Sequence, residues 1–282
     1  MLISTNSGVH SAKPEGFRVP MFEAIEVLAK AGFEAIDVNF AATIYPQPEK
    51  HEDILDGDDW RDTVRALKAH IEKCGLVISH THLPFYNYSD KENKNNALRE
   101  MMMDRAIEAS VILGAPWAVL HPSKSEDPDE CYEKTLVECD AWIKKATELG
   151  LGIAVENMSA TPYETIIRII DALRDKGYKV GNCWDCGHAN RRGINQYEAL
   201  TALGERVKVL HIHDNFGAGD DHLPPPFGRI VWDDFYRGLH DINYGGTFNY
   251  EVNLTRLDLE YREDNLRHLI KFAKNAIAKI GL

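Results

Sequence analysis

At 282 residues, 44% of them hydrophobic, the chain can bury one sizeable core and reads as a single domain over 1–282, with nothing left over for a second. Its 32 basic residues stand against 44 acidic ones, a net charge of −12 and the wrong sign for neutralising phosphates along a duplex, so nucleic acid is set aside as a partner. The opening Met1–Thr5 stretch has no basic start, and no run of about 18 apolar residues occurs anywhere; the expectation is a soluble, cytoplasmic protein that engages no membrane.

Short apolar runs alternate with longer amphipathic ones. Leu2–Thr5 reads as a first strand and Met21–Ala31 as a first helix, stopped by Gly32. Glu34–Asn39 is a second strand, and a long polar loop through Tyr45, Pro46, Gln47 and Pro48 leads to helix Trp60–Cys74, ended by Gly75. Strand three, Leu76–His82, runs into Leu83, Pro84, Phe85 and Tyr86, then a helix from Asn95 to Leu113 with Gly114 as its stop. Strand four is Trp117–His121, followed by Pro122, a polar loop and one long helix, Asp129–Leu149. Strand five is Gly152–Glu156; Pro162 opens a helix to Lys176, closed by Gly177; strand six is Val180–Asp185 and Gln196–Leu203 a short helix. Strand seven, Val207–His213, helix Trp232–His240, strand eight, Phe248–Glu251, and a last helix, Glu263–Ile280, complete eight of each.

Strict alternation with strands of four to seven residues implies a parallel sheet buried on both faces, and eight such units fit a closed (β/α)₈ TIM barrel. A doubly wound open sheet is the alternative. Against it, the first βα turn, Asn6-Ser7-Gly8, lacks the G-x-G-x-x-G fingerprint, and no phosphate-cradling glycine loop occurs elsewhere. The five cysteines, an odd count, argue against a disulfide framework; Cys183-Trp-Asp-Cys186 has redox spacing, but such use needs a helix N-terminus and the pair lies at the end of a predicted strand, so small apolar fillers are expected.

Chemistry in such a barrel sits at the C-terminal strand ends. There stand His80 and His82, His121, Glu156, Asp185 with His188 just beyond, His211 and His213, and Glu251; the loop after strand seven adds Asp220, Asp221 and His222 before a stiff Leu-Pro-Pro-Pro run. Taken singly, each histidine is more readily a satisfied core residue. Together, imidazoles and carboxylates crowded at one rim call for a divalent cation, Zn²⁺ or Mn²⁺. Glu156, Asp185, His211 and Glu251, from four successive strands, make one site; His82 and His121 can join Glu156 as a bridging carboxylate, and His188 can pair with Asp220 and His222.

The segments SHTHLPF, VLHPS, AVENMS, CWDCGHAN, VLHIHDN, DDHLPPPFGRIVWDDF and NYEVN, over roughly residues 76–253, resemble the xylose isomerase-like barrel superfamily in its sugar-phosphate isomerase/epimerase branch. The resemblance to ketose 3-epimerases implies a metal on Glu156, Asp185, His211 and Glu251. That to endonuclease IV implies three zinc ions, with His82, His121, His188, Asp220 and His222 as further ligands. One departure from the epimerases is visible: they carry a substrate-contacting arginine after the strand-seven histidine, where this chain reads Asp214-Asn-Phe-Gly217.

The leading expectation is a divalent-metal-dependent isomerase or epimerase of a sugar or sugar phosphate, working through a metal-stabilised enediolate with one to three Zn or Mn ions. The resemblance implies that Glu156 and Glu251 take and return the proton and that His188 contacts substrate or a second ion; for both glutamates a purely ligating role stands beside this. Phe85, with Tyr86, Asn87 and Tyr88, and Trp232 can cover a sugar ring or anchor loops on the rim. Lys124, Arg191, Arg192, Arg229 and Arg256 are candidates for a phosphate, or solvated surface charges. The alternatives are a zinc phosphodiesterase resembling endonuclease IV and a lyase acting on an oxidised sugar or glycoside. The expected partner is a small carbohydrate, with a homodimer or homotetramer as the assembly to look for.

Overall fold

A computed structural model describes residues 1–10, 20–40, 54–85, 89–93, 95–255 and 257–281. Tyr45–Pro48, Tyr86–Tyr88 and Arg256 lie outside them. The strands are β1 (Ile3–Asn6), β2 (Ala35–Asn39), β3 (Val77–His82), β4 (Trp117–Leu120), β5 (Gly152–Glu156), β6 (Val180–Asp185), β7 (Val207–His211) and β8 (Phe248–Tyr250). Among the described residues the helices are α1 (Met21–Ala31), α2 (Trp60–Lys73), α3 (Asn96–Leu113), α4 (Pro128–Glu138), α5 (Asp140–Glu148), α6 (Tyr163–Asp175), α7 (Cys186–Arg191), α8 (Gln196–Leu203), α9 (Trp232–Asp241) and α10 (Leu259–Ile280).

All the ladders are parallel, in the order β7-β6-β5-β4-β3-β2-β1-β8. Ile212 closes the ring: its amide donates to the Asn249 carbonyl at 2.9 Å, and the Glu251 amide donates to the Ile212 carbonyl at 3.0 Å. The fold is a TIM barrel. Beneath its rim the interior is plugged by Val119, Ala154, Cys183 and Val209, one from each of four adjacent strands, with Trp117 packed against them. A methyl on Gly152 would overlap the Trp117 ring, so that position must be bare. The larger apolar layer lies outside the strands, where Ile25, Leu28, Val64, Leu67, Ile71, Ile166 and Ile169 are among the buried helix residues. This stripe pattern is why the periodicity was readable.

Three elements depart from expectation. The predicted helix Asp129–Leu149 divides at Cys139, where no proline or glycine stands. Thr135 Oγ1 donates back to the Cys131 carbonyl at 2.7 Å while accepting the Ser123 amide at 2.9 Å, a pattern that bends helices. The ladder of β7 ends at His211 rather than His213, because Ile212 turns to β8 and Asp214 pairs with Leu223 in an antiparallel bridge. A further helix, α7, starts directly off β6: the Asp185 carboxylate accepts the His188 amide at 2.6 Å and caps it.

Between β2 and β3 the register slips, Ile36 facing Ile78 but Asp37 facing His80, which leaves Ser79 as an extra residue. Its hydroxyl lies 2.9 Å from Ser4 Oγ and 3.1 Å from His80 Nδ1. The bulge thus brings polar groups together on the β1–β3 side of the barrel, opposite the apolar plug from β4–β7.

Candidate metal centre

Glu156, at the end of β5 and almost wholly buried, is the hub. Its Oε2 lies 3.0 Å from His121 Nε2 and 3.4 Å from His82 Nε2; its Oε1 lies 3.3 Å from His211 Nδ1 and 3.4 Å from His188 Nδ1. His211 Nδ1 is also 3.1 Å from Glu251 Oε2. One ligand atom from each of Glu156, Asp185, His211 and Glu251 falls within 4.8 Å of the others, and so does a set from His82, Glu156 and His211. The four strand-end residues expected to form one site are therefore together, and the two histidines expected to share Glu156 are beside it.

An outer group follows. Asp220 Oδ2 lies 3.2 Å from His188 Nε2 and 3.4 Å from His222 Nε2. His222 sits in the left-handed region at φ 47°, an uncommon place for a side chain with a Cβ. Its backbone is over-determined: the Asp214–Leu223 bridge closes the loop behind it, and its carbonyl accepts the Asn253 amide at 2.8 Å.

Tautomers are set by backbone carbonyls, which can only accept. His82 Nδ1 donates to Leu83 O at 2.8 Å, His188 Nδ1 to Asn157 O at 2.9 Å, and His222 Nδ1 to Glu251 O at 2.6 Å. Each neutral ring therefore turns an Nε2 lone pair toward the carboxylates, which is how ligating histidines are held. Glu156 Oε2 and His211 Nε2 are buried without a hydrogen bond. Donor set, burial and fixed tautomers fit a divalent cation.

Electrostatics agree. Burial pushes the Glu156 carboxyl up, but His211 and His121 hold it well below the usual carboxylate range. Burial likewise opposes charge on His188, yet Asp185, Asp220 and Glu156 lift it well above the ordinary imidazole value; His222, lowered by burial but paired with Asp220, reaches about 9. The carboxylates thus collect protons on His188 and His222, positions a cation competes for, whereas burial holds His121 below the ordinary imidazole value.

A sequence-family model described as the xylose isomerase-like TIM barrel matches residues 25–276. The chain belongs to this family. One relative of this xylose isomerase-like barrel is the uncharacterized protein y4fM of Sinorhizobium fredii, 30% identical over 62% of this chain and 58% of its own length. Among solved structures, a xylose isomerase domain protein from Alicyclobacillus acidocaldarius is 21% identical, covers 100% of both chains and superposes with a TM-score of 0.73. A D-tagatose 3-epimerase-like protein is 20% identical, with coverage of 98% of this chain and 100% of its own and a TM-score of 0.70.

On the rim of this xylose isomerase-like barrel, Phe85 is 40% exposed and stacks on His121 at 4.6 Å, so its ring stands beside the cluster. Of the two places open to Trp232, sugar cover or loop anchor, its contacts match the anchor. Its indole packs on Phe235, Tyr236 and Phe272 in the helical layer and donates to Asp214 Oδ2 at 3.2 Å, which makes it a loop anchor. Arg191 and Arg192 tie the loop after β5, donating to Ser159 Oγ at 3.0 Å and the Ala160 carbonyl at 2.9 Å. Against expectation Cys186 does open a helix, α7, but Cys183 and Cys186 are buried free thiols whose pKa burial holds well above the ordinary thiol value, which leaves them unsuited to redox exchange.

Asn157 and Asp37 escaped the sequence reading, and His80 and His213, which it placed at strand ends, were given no role. Asn157 locks the ends of β5 and β6 together, accepting the Asp185 amide at 2.7 Å and donating to its carbonyl at 2.8 Å. His213 faces Asp185. Asp37 and His80 lie below the rim, with ligand atoms within 4.8 Å of His211. An acid inside the apolar run Ala35–Asn39 was the available signal for Asp37; nothing marked Asn157.

Proposed function

We propose that the protein is a metal-dependent isomerase or epimerase of a sugar or sugar phosphate. The observation that carries this reading is the preset tautomer of His82, His188 and His222, each turning Nε2 to a carboxylate at the C-terminal end of the barrel, Glu156 for His82 and Asp220 for the other two. The family, with a D-tagatose 3-epimerase-like neighbour, supports the reaction class. Glu156, Asp185, His211 and Glu251 would hold the principal ion, zinc or manganese, with His188, Asp220 and His222 for a further one. When bound, such an ion polarises adjacent carbonyl and hydroxyl oxygens and acidifies the C–H between them.

The proton itself falls to the glutamates. Burial pushes both carboxyls up but neighbouring imidazoles hold both well below the usual range, so access separates them: Glu156 is hemmed in by four imidazoles at 3.0–3.4 Å, which fixes it. The Glu251 side chain is 15% exposed, and its ion-pair partners are His211 at 3.1 Å and His222 at 4.0 Å. Glu251 is accordingly the carboxylate with an oxygen free to take the proton first; Glu156 returns it from the other side or serves only to hold the ion. Phe85 shields the mouth of the site from water.

Incubation of the metal-loaded protein in D₂O with ketoses, their phosphates and oxidised glycosides should place deuterium next to the carbonyl in one class. Glu251→Gln should retain metal yet lose exchange by about two orders of magnitude or more. If no hydroxycarbonyl exchanges, the carbon-acid reading is wrong. Accumulation of an unsaturated product alongside exchange would point to elimination, the lyase form of the same chemistry.

A zinc phosphodiesterase is the second reading, favoured by one observation: all nine residues implied by the endonuclease IV resemblance converge on Glu156 and Asp220. Hydrolysis of a simple phosphodiester, abolished by EDTA, would favour it.

A further inference from the structure

We propose that His213 is a positioning residue. It sets the carboxylate of Asp185 for cation binding, supports the ring of His222, and reaches that place only because residue 187 is glycine. This rests on the reading of Asp185 as a ligand.

His213 is completely buried, two residues beyond His211. Its Nε2 lies 3.1 Å from Asp185 Oδ1 and 3.2 Å from Oδ2, so one N–H straddles both oxygens and leaves the carboxylate a single orientation. The remaining freedom of Asp185 is removed by its neighbours: the His188 amide on Oδ1 at 2.6 Å and Asn157 on the backbone. The backbone of His213 is tied as well, since Cys186 Sγ donates to its carbonyl at 3.2 Å.

A ring nitrogen of His213 lies within 4.8 Å of ligand atoms of Asp220 and His222, which invites a different role, as a third ligand of the outer group. Ring geometry argues against it. The His213 and His222 imidazoles are stacked, centroids 3.9 Å apart and planes inclined by 10°. An imidazole lone pair lies in the ring plane, so two nearly parallel, stacked rings cannot both aim at one ion. The nitrogens that point at Asp220 Oδ2 are His188 Nε2 and His222 Nε2, at 3.2 and 3.4 Å. His213 is therefore the floor beneath His222, with its N–H committed to Asp185.

Gly187 completes the case. A Cβ at that position would overlap Cε1 and both nitrogens of the His213 ring. The glycine between Cys186 and His188 is thus explained by a side chain two residues beyond the end of β7 and needs no contact with a ligand of its own.

The test uses full-length protein stripped with EDTA, with Co²⁺ as probe, read by visible absorbance, and metal-free melting followed by circular dichroism. His213→Phe keeps the stack and deletes the donor. It should weaken Co²⁺ about 10–100-fold and shift the absorption band while metal-free melting is unchanged. His213→Gln, which keeps an N–H donor, should recover part of the loss. Gly187→Ala removes no ligand atom yet should resemble His213→Phe, and the double variant should be no worse than His213→Phe alone, as for two lesions in one contact. Wild-type affinity and spectrum in His213→Phe would overturn the inference and leave the metal reading intact. Equal drops in metal-free melting in His213→Phe and His213→Gln, accounting for any Co²⁺ loss, would make the residue structural and overturn it too. Failure of the wild type itself to bind Co²⁺ would remove the metal reading, and this inference with it.

Discussion

Asp37 is the most anomalous single residue: a fully buried carboxylate, neither oxygen hydrogen-bonded, 3.6 Å from His80 Nε2. Burial raises its carboxyl to about 7, with His211 and His82 pulling it partly back. The folded state therefore holds a proton that the unfolded chain, with an ordinary carboxylate value of 3.8, releases earlier. Any stability tied to that proton is complete below the unfolded value and is lost as pH rises toward 7. Asp37→Asn is of the same shape and does not titrate. In EDTA its melting temperature should match wild type near pH 4 and exceed it increasingly up to a plateau above pH 7, where the gain is on the order of 4 kcal/mol. A constant difference across that range would show that Asp37 does not change its proton there. The sequence could not have supplied this. It named nearly every strand-end side chain that the structure gathers around Glu156, because side chains at the C-terminal ends of barrel strands converge by construction. It left His213 and Asp37 without roles, because those depend on which way a ring or carboxylate faces.

The element that decides the outer group is the loop closed by the Asp214–Leu223 bridge, carrying Asp220 and His222. Its staple is the Asp214 carboxylate, which accepts the Asn215 amide at 2.9 Å, the Ile230 amide at 3.2 Å and the Trp232 indole at 3.2 Å. Gly228 lies against that carboxylate and the Asn215 backbone so closely that a Cβ would overlap both. Gly228→Ala should loosen the staple, costing about 2–4 kcal/mol of stability. It should empty the outer group first while the Glu156, Asp185, His211 and Glu251 site keeps its ion. Elemental analysis beside the wild type checks this; equal loss from both sites, or from neither, would contradict it. At this scale the sequence was most legible where glycine punctuates: α1 ends before Gly32 and α3 before Gly114, both left-handed. It failed where tertiary hydrogen bonds override the pattern. The break at Cys139 comes from the double use of Thr135, and β7 stops early because Ile212 is needed to close the barrel.

For the molecule as a whole, charge bears on the choice between the two readings. Net charge is −12, and many of the described cations are already matched: Arg61 with Glu108, Lys145 with Asp104, Arg168 with Asp129, Arg206 with Asp171 and Lys176 with Asp140. These pairs tie neighbouring helices, or a helix and the turn before β7, around the outside of the barrel, so their positive ends are not an array that could track a phosphate backbone. Non-specific affinity for a duplex comes almost entirely from such arrays through counterion release, and it disappears when net repulsion replaces them. A site that divalent cations enter is a different matter, since an acidic surface raises their local concentration. The expected outcome is that the metal-loaded protein neither shifts nor cuts an abasic duplex at physiological salt, while still exchanging deuterium into a small hydroxycarbonyl. Binding at micromolar concentration with a steep salt dependence would mean that a basic surface exists after all, and cleavage of the abasic strand would reverse the order of the two readings.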